Sequence, residues 1–454
     1  MTTALIDSVN GSFKEIIEKA ANPSAKEQME ALNKTLVANG FLMKGKPFPT
    51  FLKPYFLSNE AKALFAKATK HVMSAAEKCA GIYFEKPELR KYFEVDDIEE
   101  PYVEIQPNYP RRLIQARLDA FYYPESSELK FLEFNCDSPS GMGWHDRLVG
   151  FIADQPAYKN LQDKYEIKME ILLDRFHDML MKKLRESGCQ EEKPTVAIVC
   201  DRESTIRNDV NCIVDYFNEK FDHKTIFADP RDGKIKDGEF YMNDERVHLV
   251  YRDAIQEFTG APEETNDTLE AFKQGLICFI NPFCSRVGGL KCVLWFLTDE
   301  RAQHRFTDEE KQAIADHVPW TRFMHDEKTN FHDEKVDLFP FVKENKAKFV
   351  LKPNAGFGGF GVTIGCEVSD DEWASVLKDC KTNSWVVQEY VPLPKDDYPQ
   401  FTPELEWKTK NVNVNFFSFD GEFGGGFVRV ADSSIINVHQ GGGLIPMCFV
   451  DKEK

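Results

Sequence analysis

The stretch "FVLKPNAGFGGFGVTIG", residues 349–365, opens as a strand at Val350 and Leu351, breaks into a glycine run, and resumes as a strand at Val362 and Ile364. Gly356, Gly358, Gly359 and Gly361 lie inside the break, and Lys352 stands just before it. Glycine accepts positive φ and presents successive backbone N–H groups with no side chain in the way. Strand, glycine run and strand therefore read as a hairpin whose tip is either a plain bulged turn or a cradle for an anion. Two better-known phosphate loops do not fit. No helix and later acidic ribose partner follow the run, as a dinucleotide fingerprint requires, and no Gly-Lys-Ser/Thr ends it, as in a P-loop.

At 454 residues the chain exceeds what one hydrophobic core supports, so about two to four domains are expected. Residues 1–190 read as mostly helical, with "SAKEQMEALNKTLVANG" and "NEAKALFAKATKHVMSAAEKCAG" each ending on a glycine suited to a helix C-cap. "YEIKMEILLDRFHDMLMKKLRESG" reads as one amphipathic helix. Within this region "RRLIQARLDAFYY" and "LKFLEFNCD", joined by PESSE, predict a β-hairpin. Residues 191–345 begin with "TVAIVC", a run of the kind buried on both faces of a parallel sheet, followed by a helix and the strand "KTIFA". This βαβ order predicts an α/β lobe, with helices continuing to about residue 345. From 346 to the end the pattern is β-rich and predicts an antiparallel sheet with the glycine hairpin at its front. The whole is an α/β chain with α+β elements.

Charge and cysteine usage narrow the partners. A formal charge of −18 argues against nucleic acid, whose phosphates are bound by excess Lys and Arg. Apolar runs of a few residues are far shorter than the roughly 20 that span a bilayer, and no membrane contact is expected. The first residues carry no basic segment followed by an apolar one, so no secretory leader is read there. Eleven cysteines fall as singles without CxxC spacing, which points to thiols in a reducing compartment and a cytoplasmic location.

Company raises the weight of the glycine hairpin. Lys352 lies on the strand that enters it, where an ammonium reaches the same phosphates. Further on, "WVVQEYVP" is an apolar strand carrying Gln388, Glu389, Tyr390 and Val391, able to offer backbone groups to an adenine and a carboxylate to a ribose. Strand, glycine hairpin, helix and adenine strand in this order resemble the nucleotide-binding lobe of the ATP-grasp enzymes. Such enzymes place an acid and an asparagine for magnesium shortly after the adenine strand, whereas "NVNVNFFSFDGEF" supplies asparagines and no Glu-x-Asn. That pair occurs far upstream, in "FLEFNCDSPSG". Glu133 and Asn135 are two apart on a strand and face the same way, and Asp119 and Arg117 share a face across the turn. Each alone is an ordinary solvated hairpin charge. The set Arg-x-Asp, turn, Glu-x-Asn suits Mg²⁺, which takes few protein oxygens and fills its other positions with phosphate and water.

Metal ligands ahead of the nucleotide lobe make the chain similar to the circularly permuted ATP-grasp group typified by glutathionylspermidine synthetase, and more distantly to eukaryotic-type glutathione synthetase. The likeness runs over "DLFPFVKENKAKFVLKPNAGFGGFGV", "VHLVYRD", "HVPWTR" and "INVHQGGGLIP". It implies Asp119, Glu133 and Asn135 as magnesium ligands, Arg117 facing the transferring phosphate, Lys291 and Lys352 on the ATP phosphates, and 356–361 as the lid. It further implies Arg429 near the acyl phosphate or the reacting carboxylate, where a strand-exposed salt bridge is an equally good reading, and homodimers as in relatives. The activity implied is ATP-dependent joining of a small carboxylate to an amine through an acyl phosphate, with kinase chemistry or a silent nucleotide-binding module as alternatives. No separate amidase domain is visible. Arg202, Glu203 and Ser204, after the first strand of the α/β lobe, are the candidate carboxylate pocket, because ligands bind at the carboxyl ends of such strands. Arg322, His145, Asn437 and the 441–443 glycines are weaker candidates, each with an equally good structural explanation. Cys136 reads as a small buried residue.

Overall fold

The computed structural model describes residues 2–454 apart from 96, 254–257, 259, 261, 326, 357, 402–403 and 437–441. Its centre is an eight-stranded sheet that draws on both ends of the chain. Gln115–Tyr123 and Glu128–Asn135 form the expected hairpin, here called the front hairpin. Its first strand pairs antiparallel with Leu405–Phe419, which pairs in turn with Glu422–Ala431 and through it with Gly443–Glu453. Period-two alternation gives this sheet two different faces. On one, Phe65 of the long helix Asn59–Glu85 meets Tyr122 and Phe416 at ring-centroid distances of 4.8 and 4.5 Å. The other carries Arg117, Asp119, Glu133, Asn135, Asn413, Asn415 and Arg429, because Asp119 stands opposite both Glu133 and Asn415, Arg117 opposite Asn135, and Asn413 opposite Arg429.

A second, four-stranded sheet holds the glycine hairpin, in the order Thr321–Phe323, Trp385–Glu389, Phe349–Pro353, Thr363–Ile364. The β-rich third region thus supplies two sheets rather than one, and the larger is completed by the front hairpin. The third sheet is parallel, with Val196–Val199 between Leu249–Arg252 and Thr225–Ala228, and Cys278–Ile280 outside Leu249–Arg252. The helix Arg207–Lys220 makes the crossover, as the βαβ reading requires. The chain is therefore a mixed α/β fold. No helix among the described residues is long and apolar enough to cross a membrane.

Three local expectations give way to tertiary context. Gly81 does not end its helix, which runs on to Glu85, since burial of Ile82 and Tyr83 outweighs a glycine cost of about 1 kcal/mol. Tyr165–Met169 is a strand paired with Gly443–Glu453, and the amphipathic helix starts only at Leu172, where the Asp146 carboxylate accepts the N–H groups of Leu172 and Leu173. The helices expected up to about residue 345 are interrupted by strands before the last of them, Leu338–Glu344. Thr321–Phe323 joins the glycine-hairpin sheet, and Lys328–Phe331 pairs with Glu334–Asp337.

Candidate active site

The polar face of the large sheet and the glycine-hairpin sheet line one cleft of about 890 Å³. Arg117, Asp119, Glu133, Asn135, Lys352, Gly358, Gly359, Gln388, Glu389, Tyr390, Val391 and Arg429 all line it. A bulge brings the acids together: Asp119 pairs with Glu133 but Ala120 pairs with Phe131, so Leu132 is the extra residue and turns into the cleft.

Asp119 is the hub. Its Oδ1 accepts from Arg117 Nε at 3.2 Å and from Asn135 Nδ2 at 3.2 Å, and its Oδ2 accepts from Arg429 Nη1 at 3.1 Å. Glu133 Oε1 pairs with Lys291 Nζ at 3.1 Å, and the same ammonium donates to the Gly356 carbonyl. Lys291 therefore stands behind Glu133 and ties the base of the glycine hairpin to the front hairpin, without lining the cleft itself. Lys352 Nζ donates to Gln388 Oε1 at 2.6 Å and to the Leu132 carbonyl at 3.1 Å. Burial pushes its ammonium down to about 8, only partly offset by the charge of Glu133. Burial, with Arg117 close by, likewise lowers Arg429 to about 10, and its Nε is buried with no hydrogen-bond partner.

Four cations thus face two carboxylates in a partly buried cluster, and one guanidinium N–H is unmet. A triphosphate with one bound magnesium, carrying a net charge of about −2, balances that excess. Among the described residues no three His, Cys, Asp or Glu side chains gather into a self-sufficient metal site. The donors present are two carboxylates and the Asn135 carbonyl oxygen, whose amide nitrogen is spent on Asp119 and on the Arg117 carbonyl. That short set fits a magnesium completed by phosphate oxygens and water.

The glycines do what the sequence asks of them. Gly358, Gly359 and Gly361 have φ of 65°, 76° and 74°, and a Cβ on Gly359 would come within 2.6 Å of Ile435 Cγ2. Phe360 is 71 % exposed at the tip. On the adjoining strand Gln388 orients Lys352 and donates to Thr321 Oγ1, while Glu389 pairs with His332 at 3.2 Å. The N–H groups of Glu389 and Tyr390 donate to the Trp320 and Lys348 carbonyls.

Other sequence candidates lie elsewhere. Arg202 is held by Asp229 and Asp232, Glu203 N–H donates to Asp201, and neither these residues nor Ser204 line the cleft. Arg322 is on the strand Thr321–Phe323, and its guanidinium is spent on Thr298, Thr321, Thr329 and Asn330. His145 is buried with Nδ1 against Asp146 at 2.7 Å, and burial holds the Cys136 thiol well above its usual range. Asn437 and Gly441 fall outside the described residues, and Gly443 heads a strand. Sequence reasoning missed Asn413, Asp137, Trp144 and Phe427 in the lining. Only Asn413 left a signal, the strict alternation of "NVNVN", whose asparagines continue the Arg-x-Asp face onto the next strand.

No family model matches the chain. It is 24% identical over 478 residues to an uncharacterized protein of Mycobacterium leprae, covering 96% of this chain and 79% of that protein. A 24% identity over 479 residues links it to an uncharacterized protein of Mycobacterium tuberculosis, 96% of this chain and 81% of that one. Among solved structures it is similar to a glutathione synthetase-like effector from Globodera pallida, with a TM-score of 0.63 and 11% identity over 93% of this chain and 96% of that one. That likeness shows a fold shared with the effector over nearly the whole of both chains.

Proposed function

We propose that the chain is an ATP-dependent carboxylate–amine ligase of the circularly permuted ATP-grasp kind. The observation that carries this reading is the cluster itself: Asp119, Glu133 and Asn135 from the front of the chain share one cleft with Lys352 and Arg429 from its last quarter. Asp119, Glu133 and Asn135 would hold magnesium, which supplies charge neutralisation at the phosphates when bound. Lys352, the Gly358–Gly359 backbone and Arg429 serve the polyphosphate, and Glu389 the ribose. In the reaction a carboxylate oxygen bonds to the γ-phosphorus as the bond to the ADP oxygen breaks. The amine then bonds to the acyl carbon, phosphate leaves with the C–O pair, and the amine loses a proton. Arg117 and Arg429 stand where negative charge builds in both steps, at a site where burial strengthens their effect. The glycine hairpin keeps water from the acyl phosphate.

The test is ADP release against pooled amino acids, dipeptides and polyamines, with Asp119→Ala and Glu133→Ala as blanks. ADP and phosphate in equal amounts, dependent on both an acid and an amine and absent from the blanks, are expected. ADP without free phosphate makes the protein a kinase, and ATP binding without any ADP makes it a silent module.

Lys352 adds a pH signature. In the free protein it loses its proton near 8, and a bound polyphosphate pulls that value back toward an ordinary lysine. Binding therefore takes up a proton above pH 8, and nucleotide affinity should fall by about tenfold between pH 7 and pH 9. Titration of a non-hydrolysable ATP analogue at the two pH values checks this. Equal affinities would remove Lys352 from the phosphate site.

A further inference from the structure

We propose, building on the ligase reading above, that the activated substrate is an α-amino acid with a bulky apolar or aromatic side chain and a free amino group. Position along the front hairpin orders the cleft. Phe121 and Leu132 lie at the nucleotide end, Asp119 and Glu133 follow, then Arg117 and Asn135, and beyond them come Asp137 and the turn into the helix Met142–Ala153. Across the sheet, toward Glu422–Ala431 and Gly443–Glu453, the character changes. Phe48 and Trp144 meet with ring centroids 5.4 Å apart, and Met43, Phe427 and Leu444 add apolar lining. Trp144 is only half-buried, so part of an indole stands open inside a cleft. Uncovered apolar surface of this kind costs about 25 cal/mol per Å², which a ligand side chain of matching chemistry recovers.

Two further observations say what that ligand carries. The helix N-terminus facing this end is no anion site, because the buried Asp209 carboxylate already accepts from Gly141 N at 2.6 Å and Trp144 N at 2.7 Å. Asp137 lines the cleft at 8 % side-chain exposure. One of its oxygens pairs with Arg252, and the other, Oδ2, is buried with no partner. A carboxylate with one unmet oxygen calls for a donor, and an ammonium is the strongest available. Asp137 follows Asn135, the residue opposite Arg117, by two positions in the bend that leaves the strand, so an α-amino acid at this end of the cleft can set its carboxylate toward Arg117 and its ammonium toward Asp137. Lys44 also lines the cleft, which makes acidic amino acids the decisive competitors.

The experiment titrates phenylalanine, leucine, 3-phenylpropanoate, alanine and glutamate into the full chain with magnesium and a non-hydrolysable ATP analogue, then measures ADP release from ATP with the same acids and a pool of amino-acid, dipeptide and polyamine acceptors. Phenylalanine and leucine should bind at least about tenfold tighter than alanine or glutamate, and Trp144→Ala should erase about tenfold of that for phenylalanine while nucleotide affinity holds. Trp144→Phe, which keeps an aromatic wall, should retain most of it. Asp137→Asn should weaken phenylalanine and leave 3-phenylpropanoate, which has no amino group, unchanged. Preference for glutamate, or indifference of phenylalanine to Trp144→Ala, overturns the assignment and leaves the ligase reading standing. Selective phenylalanine binding with no ADP from any acid does the reverse.

Discussion

Asp119→Asn is expected to cut ADP formation by about a thousandfold or more while the chain stays folded. The substitution keeps the shape of the side chain and removes the one charge on which three neighbours converge: Arg117, Arg429 and Asn135 all donate to Asp119. Two effects add. The proposed metal loses one of only two anionic ligands, and the two arginines lose the carboxylate that fixes their guanidinium planes. An amide also offers its N–H₂ group where the arginines need an acceptor. Breaking a buried ion pair from one side costs about 3 kcal/mol or more, so a fall in the denaturation midpoint should accompany the loss. Steady-state ADP release and chemical denaturation on the same preparation check both. Activity within tenfold of the unsubstituted chain would move the metal away from Asp119.

Lys352→Met is expected to do the opposite to stability and the same to binding. Burial holds the Lys352 ammonium near 8 against an ordinary 10.5, so the folded state binds that proton more weakly than the unfolded chain does. The sign follows: at any pH below 8 the charged lysine works against folding, by about 3 kcal/mol, and the penalty fades as pH rises from 8 toward 10.5. Methionine fills the same stem without the charge. It leaves Gln388 Oε1 and the Leu132 carbonyl short of a donor, which takes back about 1 kcal/mol each, so a net gain of about 1 kcal/mol is expected at neutral pH. Nucleotide affinity should drop by about a hundredfold with the lost charge-assisted contact. A midpoint that falls, or an affinity that holds, contradicts this reading. A buried cation kept at a cost to the fold is what a phosphate site requires, since the ligand supplies the missing counter-charge.

What the sequence made legible was local. Arg117, Asp119, Glu133 and Asn135 could be placed on one face because strand alternation and a five-residue turn fix their relation without further information. The glycine hairpin was legible for the same reason, since positive φ is written in the residue type. What stayed hidden depends on which distant strands pair. Nothing between residues 136 and 404 announces that Leu405–Phe419 will lie beside Gln115–Tyr123, and the alternation of "LKFLEFN" does not mark the bulge at Leu132. The aromatic end of the cleft was invisible because Phe48, Trp144, Phe427 and Leu444 come from four separate segments. Tyr165–Met169 read as helix because its apolar residues continue the spacing of the helix after it, and only the edge offered by Gly443–Glu453 decides for strand. Arg202 was placed in a pocket by its position after a strand, yet the nearby Asp229 and Asp232 claim its guanidinium.

Calorimetric titration of a non-hydrolysable ATP analogue, run in magnesium and again in a chelator, bears most directly on whether the front hairpin and the glycine-hairpin sheet form one nucleotide site. Saturable one-to-one binding that weakens at least about tenfold when magnesium is withdrawn, and that Asp119→Asn makes insensitive to magnesium, is the outcome required. Binding that ignores both the metal and Asp119 would mean that the acids of the front hairpin do not serve the nucleotide at all.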